Sequence, residues 1–162
     1  MHTLFILLGD NKGYRYKHML LAQYFIQHKI GEIVLSSSIY ETAPWQVKHK
    51  TKYLNQCLMV KTQLSIFQLL NATQKIEKIL GRTNKSQLSS RTIDIDVLFY
   101  DNTIVETKNL TIPHPRLHLR KFTLIPLNEI ASKIVHPKFN ETIQKLLENC
   151  DDTSVVEKYS IT

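Results

Sequence analysis

The sequence predicts an α+β domain. Strand-like and helix-like stretches alternate along it, and no repeat, low-complexity tract or Gly/Ser linker divides the chain. At 162 residues and 43% hydrophobic, its length and apolar content suit one core, so a single domain over 1–162 is expected.

The elements follow in order. Residues 3–9 form an apolar run that reads as a first strand, closed by the turn-forming Gly-Asp-Asn-Lys-Gly. Over residues 16–28, Met19, Leu20, Ala22, Tyr24 and Phe25 fit a helix. Residues 32–40 read as a strand, the polar stretch through residue 52 as a long loop, and residues 53–62 as another strand. Long loops in compact domains are often functional. A second helix over 65–80 carries Ile66, Leu69, Leu70, Ile76, Ile79 and Leu80 on one broad face. After a polar loop at 81–90 come a strand over 92–100, the segment IPHPRLHLR and an apolar stretch over 122–131. Asn140 followed by ETIQKLLENC reads as a capped terminal helix. The order β-α-β-β-α-β is that of a ferredoxin-like core with an antiparallel sheet, here with additional C-terminal helices.

Composition narrows the function classes. No run approaches the 18 or more apolar residues of a membrane helix, and the N-terminus lacks the features of a signal peptide, so a soluble, cytoplasmic protein is expected. Cys57 and Cys150 stand apart with no metal-type spacing and are expected to be free thiols. Lysine and arginine exceed acids by 21 to 14, a net charge of +7, so the partner should be anionic. Four of the five arginines, Arg82, Arg91, Arg116 and Arg120, lie between residues 82 and 120. That clustering suits a compact polyphosphate better than a long nucleic-acid backbone, because the guanidinium fork grips phosphate oxygens bidentately.

The sharpest local signal is Arg-Thr-Ile-Asp-Ile-Asp at 91–96. Alternation on a strand puts Asp94 and Asp96 on one face, their Cα atoms about 6.5–7 Å apart. Two carboxylates facing one way are costly unless a cation joins them, and magnesium, which takes one or two carboxylates and keeps substrate phosphates, is the natural candidate. The alternative for such a pair is a solvated strand edge. What favours the metal is the surrounding cationic set: Arg82 and Arg91 before the strand, His114, Arg116, His118 and Arg120 after it. Phosphoryl transfer needs positioning and charge neutralisation more than covalent chemistry. His114 and His118 have metal-pair spacing but no context that supports zinc. The first turn is too short for a P-loop. Glu77 falls on the apolar side of the second helix, where a carboxylate either reaches the rim, for instance to Arg82, or borders a ligand cleft. Tyr53 and Asn55 share a strand face, which is either an ordinary tyrosine beside a strand-start polar residue or a flat aromatic beside an amide suited to a planar heterocycle.

Six blocks, LLGDNKG, SSSIYETAPW, YLNQ, TQKIEKILGR, SRTIDIDVLFYDN and LTIPHPRLHLRKFTLIPLNEIA, lie in order across residues 4–131. Together the chain resembles the 6-hydroxymethyl-7,8-dihydropterin pyrophosphokinases of folate biosynthesis. The resemblance implies an ATP-dependent enzyme that passes the β,γ-pyrophosphoryl group of ATP to the pterin hydroxymethyl oxygen and releases AMP. It implies that Asp94 and Asp96 hold two magnesium ions, and that Arg82, Arg91, His114 and Arg120 bind the polyphosphate, with Arg82 and Arg91 in the catalytic role. Gln74, Glu77 and Thr111 would complete the nucleotide side. Tyr53 and Phe122 would sandwich the pterin, with Asn55, Thr42, Ala43, Pro44 and Trp45 at its polar edge. The partners would be small molecules, with neither nucleic acid nor membrane, and the protein a monomer. Two departures stand out: Gln46 where the family usually has glycine, and TNKSQLSS at 83–90, where the family often has a tryptophan and a second arginine and Lys85 is the only cation here. The rival classes are a nucleic-acid-binding ferredoxin-like domain, which would carry an RNP-type aromatic pattern absent here, and a non-catalytic relative.

Overall fold

The computed structural model describes residues 1–43, 52–81 and 93–161. Eight strands and four helices run in the order β1 (His2–Asp10), α1 (Arg15–Lys29), β2 (Gly31–Ser36), β3 (Tyr40–Thr42), β4 (Tyr53–Thr62), α2 (Ile66–Ile79), β5 (Asp94–Tyr100), β6 (Val105–Glu106), β7 (Thr111–Ile112), α3 (Lys121–Ala131), α4 (Ile143–Glu148) and β8 (Val156–Lys158). The main sheet is antiparallel, in the order β5-β1-β4-β3-β8, with β2 also paired to β4. Taking β2 and β3 as one interrupted strand, this is the expected βαββαβ core.

The first strand reads as a continuous apolar run because both of its faces are covered. Leu4, Ile6 and Leu8 join Met19, Ala22, Ile26, Leu58, Leu69, Ile76 and Ile95 in a core beneath α1 and α2. On the other face Phe5 and Leu7 join Cys57, Leu98, Leu124, Leu127, Ile143 and Leu146 beneath α3 and α4. The sheet is thus the middle of three layers, which is why the chain needs the extra C-terminal helices: without them one apolar face would meet water.

Several local expectations change. The strand expected over 32–40 breaks because residues 37–39 stand against only Gln56 and Cys57 of β4, between the pairs Ser36 with Leu58 and Tyr40 with Asn55. Ser37 bridges the break: its N–H donates to the Cys57 carbonyl at 2.9 Å, and its Oγ accepts the Cys57 N–H at 2.9 Å. At Gly31, where β2 starts, a Cβ would lie 1.9 Å from the Lys61 carbonyl oxygen, so this pairing needs glycine. On α1 the buried face is Met19, Ala22 and Ile26, and Leu20 and Tyr24 are exposed; on α2, Ile79 is exposed. The stretch 122–131 is helical despite Pro126 within it. The terminal helix is capped by Thr142, whose Oγ1 accepts the Lys145 N–H at 3.1 Å, and not by Asn140, which sits in the left-handed region at φ 56°. Sequence alone gave no sign of β8.

One packing detail ties the layers together. Glu129 of α3 accepts the main-chain N–H of Ser38 at 2.6 Å and the Tyr40 hydroxyl at 2.5 Å, anchoring the broken strand to the helix above it. Burial and the Glu129 charge push the Tyr40 hydroxyl up to about 12, so it stays a donor.

His136 is buried between Phe99 and Phe139, with ring centroids at 5.5 and 4.3 Å. Its Nδ1 accepts the main-chain N–H groups of Lys138 and Phe139 at 3.1 and 3.2 Å. Burial and the neighbouring His118 and Lys138 charges lower it from 6.5 to about 4. The unfolded chain therefore takes up this proton first as pH falls. The stabilisation is complete above pH 6.5 and drains away between 6.5 and 4, by roughly 3 kcal/mol at most. Urea denaturation across that window should show the loss. His136→Asn, whose Oδ1 can accept the same two N–H groups, should flatten part of the slope; an unchanged slope would exclude His136 as its source.

Candidate active site

The site lies at the end of the sheet where β1, β4 and β5 present the same face. Antiparallel register sets Gly9 opposite both Asn55 and Asp94, and Leu7 opposite both Cys57 and Asp96. Asp94 and Asp96 therefore do share a face, as alternation predicts, while Ile95 turns into the core beneath α1 and α2. Gly9 is where the backbone must come close: a Cβ there would stand 2.9 Å from Asn55 Nδ2. The Asn55 amide is oriented by donating to the Leu8 carbonyl at 3.2 Å.

Two cavities meet at this end of the sheet, the first on this face and the second at the β5 edge, where Ile95 and Val97 also line it. The first, about 260 Å³, is lined by Leu7, Gly9, Thr42, Ala43, Tyr53, Asn55, Asp94, Asp96, Arg120, Phe122 and Ser154. The second, about 490 Å³, is lined from α2 by Leu70, Thr73, Gln74 and Glu77, from β5 by Asp94 and Asp96, and from the far side by Thr111, His114, Pro115 and Arg120 among others. Asp94, Asp96 and Arg120 belong to both walls. A flat aromatic slot and a polar trough thus meet at two carboxylates and one guanidinium.

The electrostatics suit an anion in the trough. Arg120 is held where burial and the Arg116 charge lower its guanidinium from the usual value while Asp96 acts in the opposite sense, so the cation and the carboxylate sense each other across the junction. Its guanidinium carbon lies 5.4 Å from the centre of the Phe122 ring, bracing that ring at the slot. His114 is fixed by donating its N–H to the Leu98 carbonyl of β5 at 3.0 Å. Burial, then Arg120 and Arg116, bring its imidazole down to about 4. Nδ1 accepts the Arg116 N–H at 3.2 Å, which leaves the proton of the neutral ring on Nε2 as a donor. Thr42 Oγ1 is buried on the first cavity without a hydrogen-bond partner among the described residues, an atom suited to a ligand.

Magnesium fits this donor set. Among the described residues no three His, Cys, Asp or Glu side chains cluster closely enough to hold a metal unaided. A cation here would draw its remaining ligands from water and phosphate, which is magnesium's habit.

Of the residues singled out in the sequence, Thr42, Ala43, Tyr53, Asn55 and Phe122 line the first cavity, Gln74, Glu77, Thr111 and His114 the second, and Asp94, Asp96 and Arg120 both. Glu77, only 6% exposed, lines the second cavity, and its alternative partner Arg82 lies outside the described residues. Arg82, Arg91, Pro44, Trp45, Gln46 and Lys85 lie outside the described residues. Arg116 and His118 are on neither wall; the His118 ring packs against Phe139 at 4.6 Å. Sequence reasoning missed Gly9 and Leu7, which alternation would have found once the β1 register was known, and Ser154, which carries no local signal.

The model of the 7,8-dihydro-6-hydroxymethylpterin-pyrophosphokinase (HPPK) family matches residues 5–132. The chain is 39% identical to the 2-amino-4-hydroxy-6-hydroxymethyldihydropteridine pyrophosphokinase of Bacillus subtilis, over 80% of this chain and 78% of the relative. It is 34% identical to the enzyme of the same name from Haemophilus influenzae, over 97% and 98%. A solved Plasmodium falciparum HPPK-DHPS chain, a triple mutant with SDX-DHP, superposes with a TM-score of 0.77 at 17% identity over 91% of this chain, which spans 44% of that longer one. That likeness carries the fold; the sequence matches carry the family. The chain belongs to the 6-hydroxymethyl-7,8-dihydropterin pyrophosphokinase family.

Proposed function

We propose that this protein transfers the β,γ-pyrophosphoryl group of ATP to the hydroxymethyl oxygen of 6-hydroxymethyl-7,8-dihydropterin, giving the pterin pyrophosphate and AMP in folate biosynthesis. The observation that carries this reading is the shared wall: an aromatic slot and a polar trough meeting at Asp94, Asp96 and Arg120. Transfer between two small molecules needs their reacting ends side by side, and most of the rate gain from holding them so is entropic.

In this assignment the pterin lies in the first cavity between Tyr53 and Phe122. Asn55 and Thr42 meet its polar edge, with Ala43, Pro44 and Trp45 beside it. ATP lies in the second cavity against Gln74, Glu77 and Thr111. His114, through its Nε2–H, and Arg120 hold phosphate oxygens, joined by Arg82 and Arg91 from the segment next to β5. Asp94 and Asp96 would hold two magnesium ions, which would supply charge neutralisation for the polyphosphate. The hydroxymethyl oxygen bonds to the β-phosphorus as its hydroxyl proton is released to water, the bond from that phosphorus to the α,β-bridging oxygen breaks, and AMP departs with that oxygen. Because Arg120 borders both cavities, it can follow charge from the attacking to the leaving side. The free thiols of Cys57 and Cys150 suit a reducing compartment, and no helix among the described residues is long and apolar enough to cross a membrane. We propose that residues 1–162 act as one domain, monomeric and in the cytoplasm.

The decisive assay is AMP formation from ATP with and without the pterin, in magnesium and again in excess chelator. AMP should appear only with both pterin and magnesium; ADP instead would mean a different transfer. Asp96→Ala should fold with a near-normal melting temperature yet lose at least about a hundredfold in kcat, and wild-type turnover from the folded variant would remove Asp96 from the site. Phe122→Ala should weaken pterin binding by roughly tenfold or more, as losing one stacked ring does elsewhere. ATP affinity should change little; equal losses for both ligands would count against the sandwich.

A further inference from the structure

The family match ends at residue 132, yet one residue that lines the first cavity, Ser154, lies beyond it. Helix α3 lacks a side-chain cap of its own at Arg120. The main-chain N–H of Lys121, in its first turn, donates instead to Asp152 Oδ2 at 3.0 Å. Arg120 and Phe122, the residues on either side of Lys121, both line the first cavity. A carboxylate from the C-terminal segment therefore fixes the turn from which both side chains reach the slot.

The same carboxylate holds a second group. Asp152 Oδ1 accepts the Ser154 N–H at 2.9 Å and the Ser154 hydroxyl at 2.5 Å, and Ser154 lines the cavity. Burial works against the ionised form, but the Ser154 and Lys121 bonds hold the Asp152 carboxyl below its usual value, so it is charged at neutral pH. Just beyond, β8 sets Val156 opposite Thr42, and the Tyr159 N–H donates to the Ile39 carbonyl at 2.8 Å. Arg15 lies over the Tyr159 ring at 5.7 Å, closing the segment against α1. The tail is thus fastened to α3 on one side of the cavity and to β3 on the other.

We propose that the segment bearing Asp152 and Ser154 completes the acceptor site: Asp152 is a positioning residue for Arg120 and Phe122, and Ser154 is a ligand contact. With its hydrogen committed to Asp152, the Ser154 oxygen has only lone pairs to offer, so its partner is an N–H group on the edge of the bound heterocycle. This rests on the assignment of the first cavity to the pterin.

Amide hydrogen exchange on the ligand-free full-length chain tests the capping role independently of that assignment. In Asp152→Ala, exchange at the Lys121 amide should accelerate at least tenfold, and Asp152→Asn, which keeps an acceptor oxygen, should restore most of the protection. In titrations with 6-hydroxymethyl-7,8-dihydropterin, Asp152→Ala should raise Kd fivefold or more and change ATP affinity less. Ser154→Ala should raise the pterin Kd severalfold while leaving Lys121 exchange as in the wild type. Unchanged exchange in Asp152→Ala, equal loss of both ligands, or unchanged pterin affinity in Ser154→Ala would each overturn the proposal. Should Asp152→Ala fail to fold, the Asp152→Asn and Ser154→Ala results still decide it. A wild-type chain that binds ATP but no pterin would instead sink the cavity assignment, and the exchange data would still settle the cap.

Discussion

The pairing of β1 with β4 on one side and β5 on the other is the constraint from which the site follows. It sets Asn55, Gly9 and Asp94 in one row across the sheet and Cys57, Leu7 and Asp96 in the next. With neighbouring strands about 4.8 Å apart, the amide and the carboxylate of the first row are separated at their backbones by roughly 10 Å, with only a glycine between them. That gap gives a flat ligand room to lie across the strand. A slip of one residue would turn both aspartates toward the core beneath α1 and α2 and put Ile95 in their place on the wall of the first cavity. Such a slip is opposed by every apolar residue of β1, since each is packed on one face or the other.

The polar site and the apolar core occupy the same face of the sheet, and the boundary between them falls within β5. Toward the C-terminal end of that strand Leu98 lies beneath α3, while Asp94 and Asp96 emerge beyond the start of the helix. The first turn of α3 is consequently the hinge point of the layout, because it supplies Arg120 to the junction and Phe122 to the slot. The helix is held from several directions: its body through Glu129 to Ser38 and Tyr40, its underside through Leu124 and Leu127, its first turn through Asp152. Each tie restricts where the guanidinium and the ring can go, and preorganised charge is worth most where it need not rearrange.

The electrostatic design is asymmetric. The chain as a whole carries +7, yet His114, in the trough, is neutral because burial and two nearby guanidinium groups make a further charge costly. It keeps a directional donor and leaves the charge to arginine, which cannot deprotonate. The net positive field draws polyanions in, while a few placed groups decide where they rest.

Much of this was legible in the chain itself. The βαββαβ order followed from long apolar runs and one amphipathic helix, and the shared face of Asp94 and Asp96 from the two-residue period of a strand; both are local properties that tertiary packing had no reason to overrule. The position of Glu77 was half legible: its place on the apolar side of α2 showed, with a bordering cleft as one of two readings. The break after Ser36 escaped because it arises from unequal lengths on two paired strands, which no single strand displays. The cap at Thr142 was misplaced by two residues because Asn140 and Thr142 are both capping types and only the backbone tells which one starts the helix. Strand β8 and the wall at Asp152 and Ser154 were illegible because three residues, Val156 to Lys158, are too few to show a period, and Asp152 and Ser154 matter only for what they touch. Sequence by itself determined the βαββαβ order and the family; tertiary structure alone decided that two cavities share one wall, since that depends on the register of β1 with β4 and β5, strands far apart in the chain.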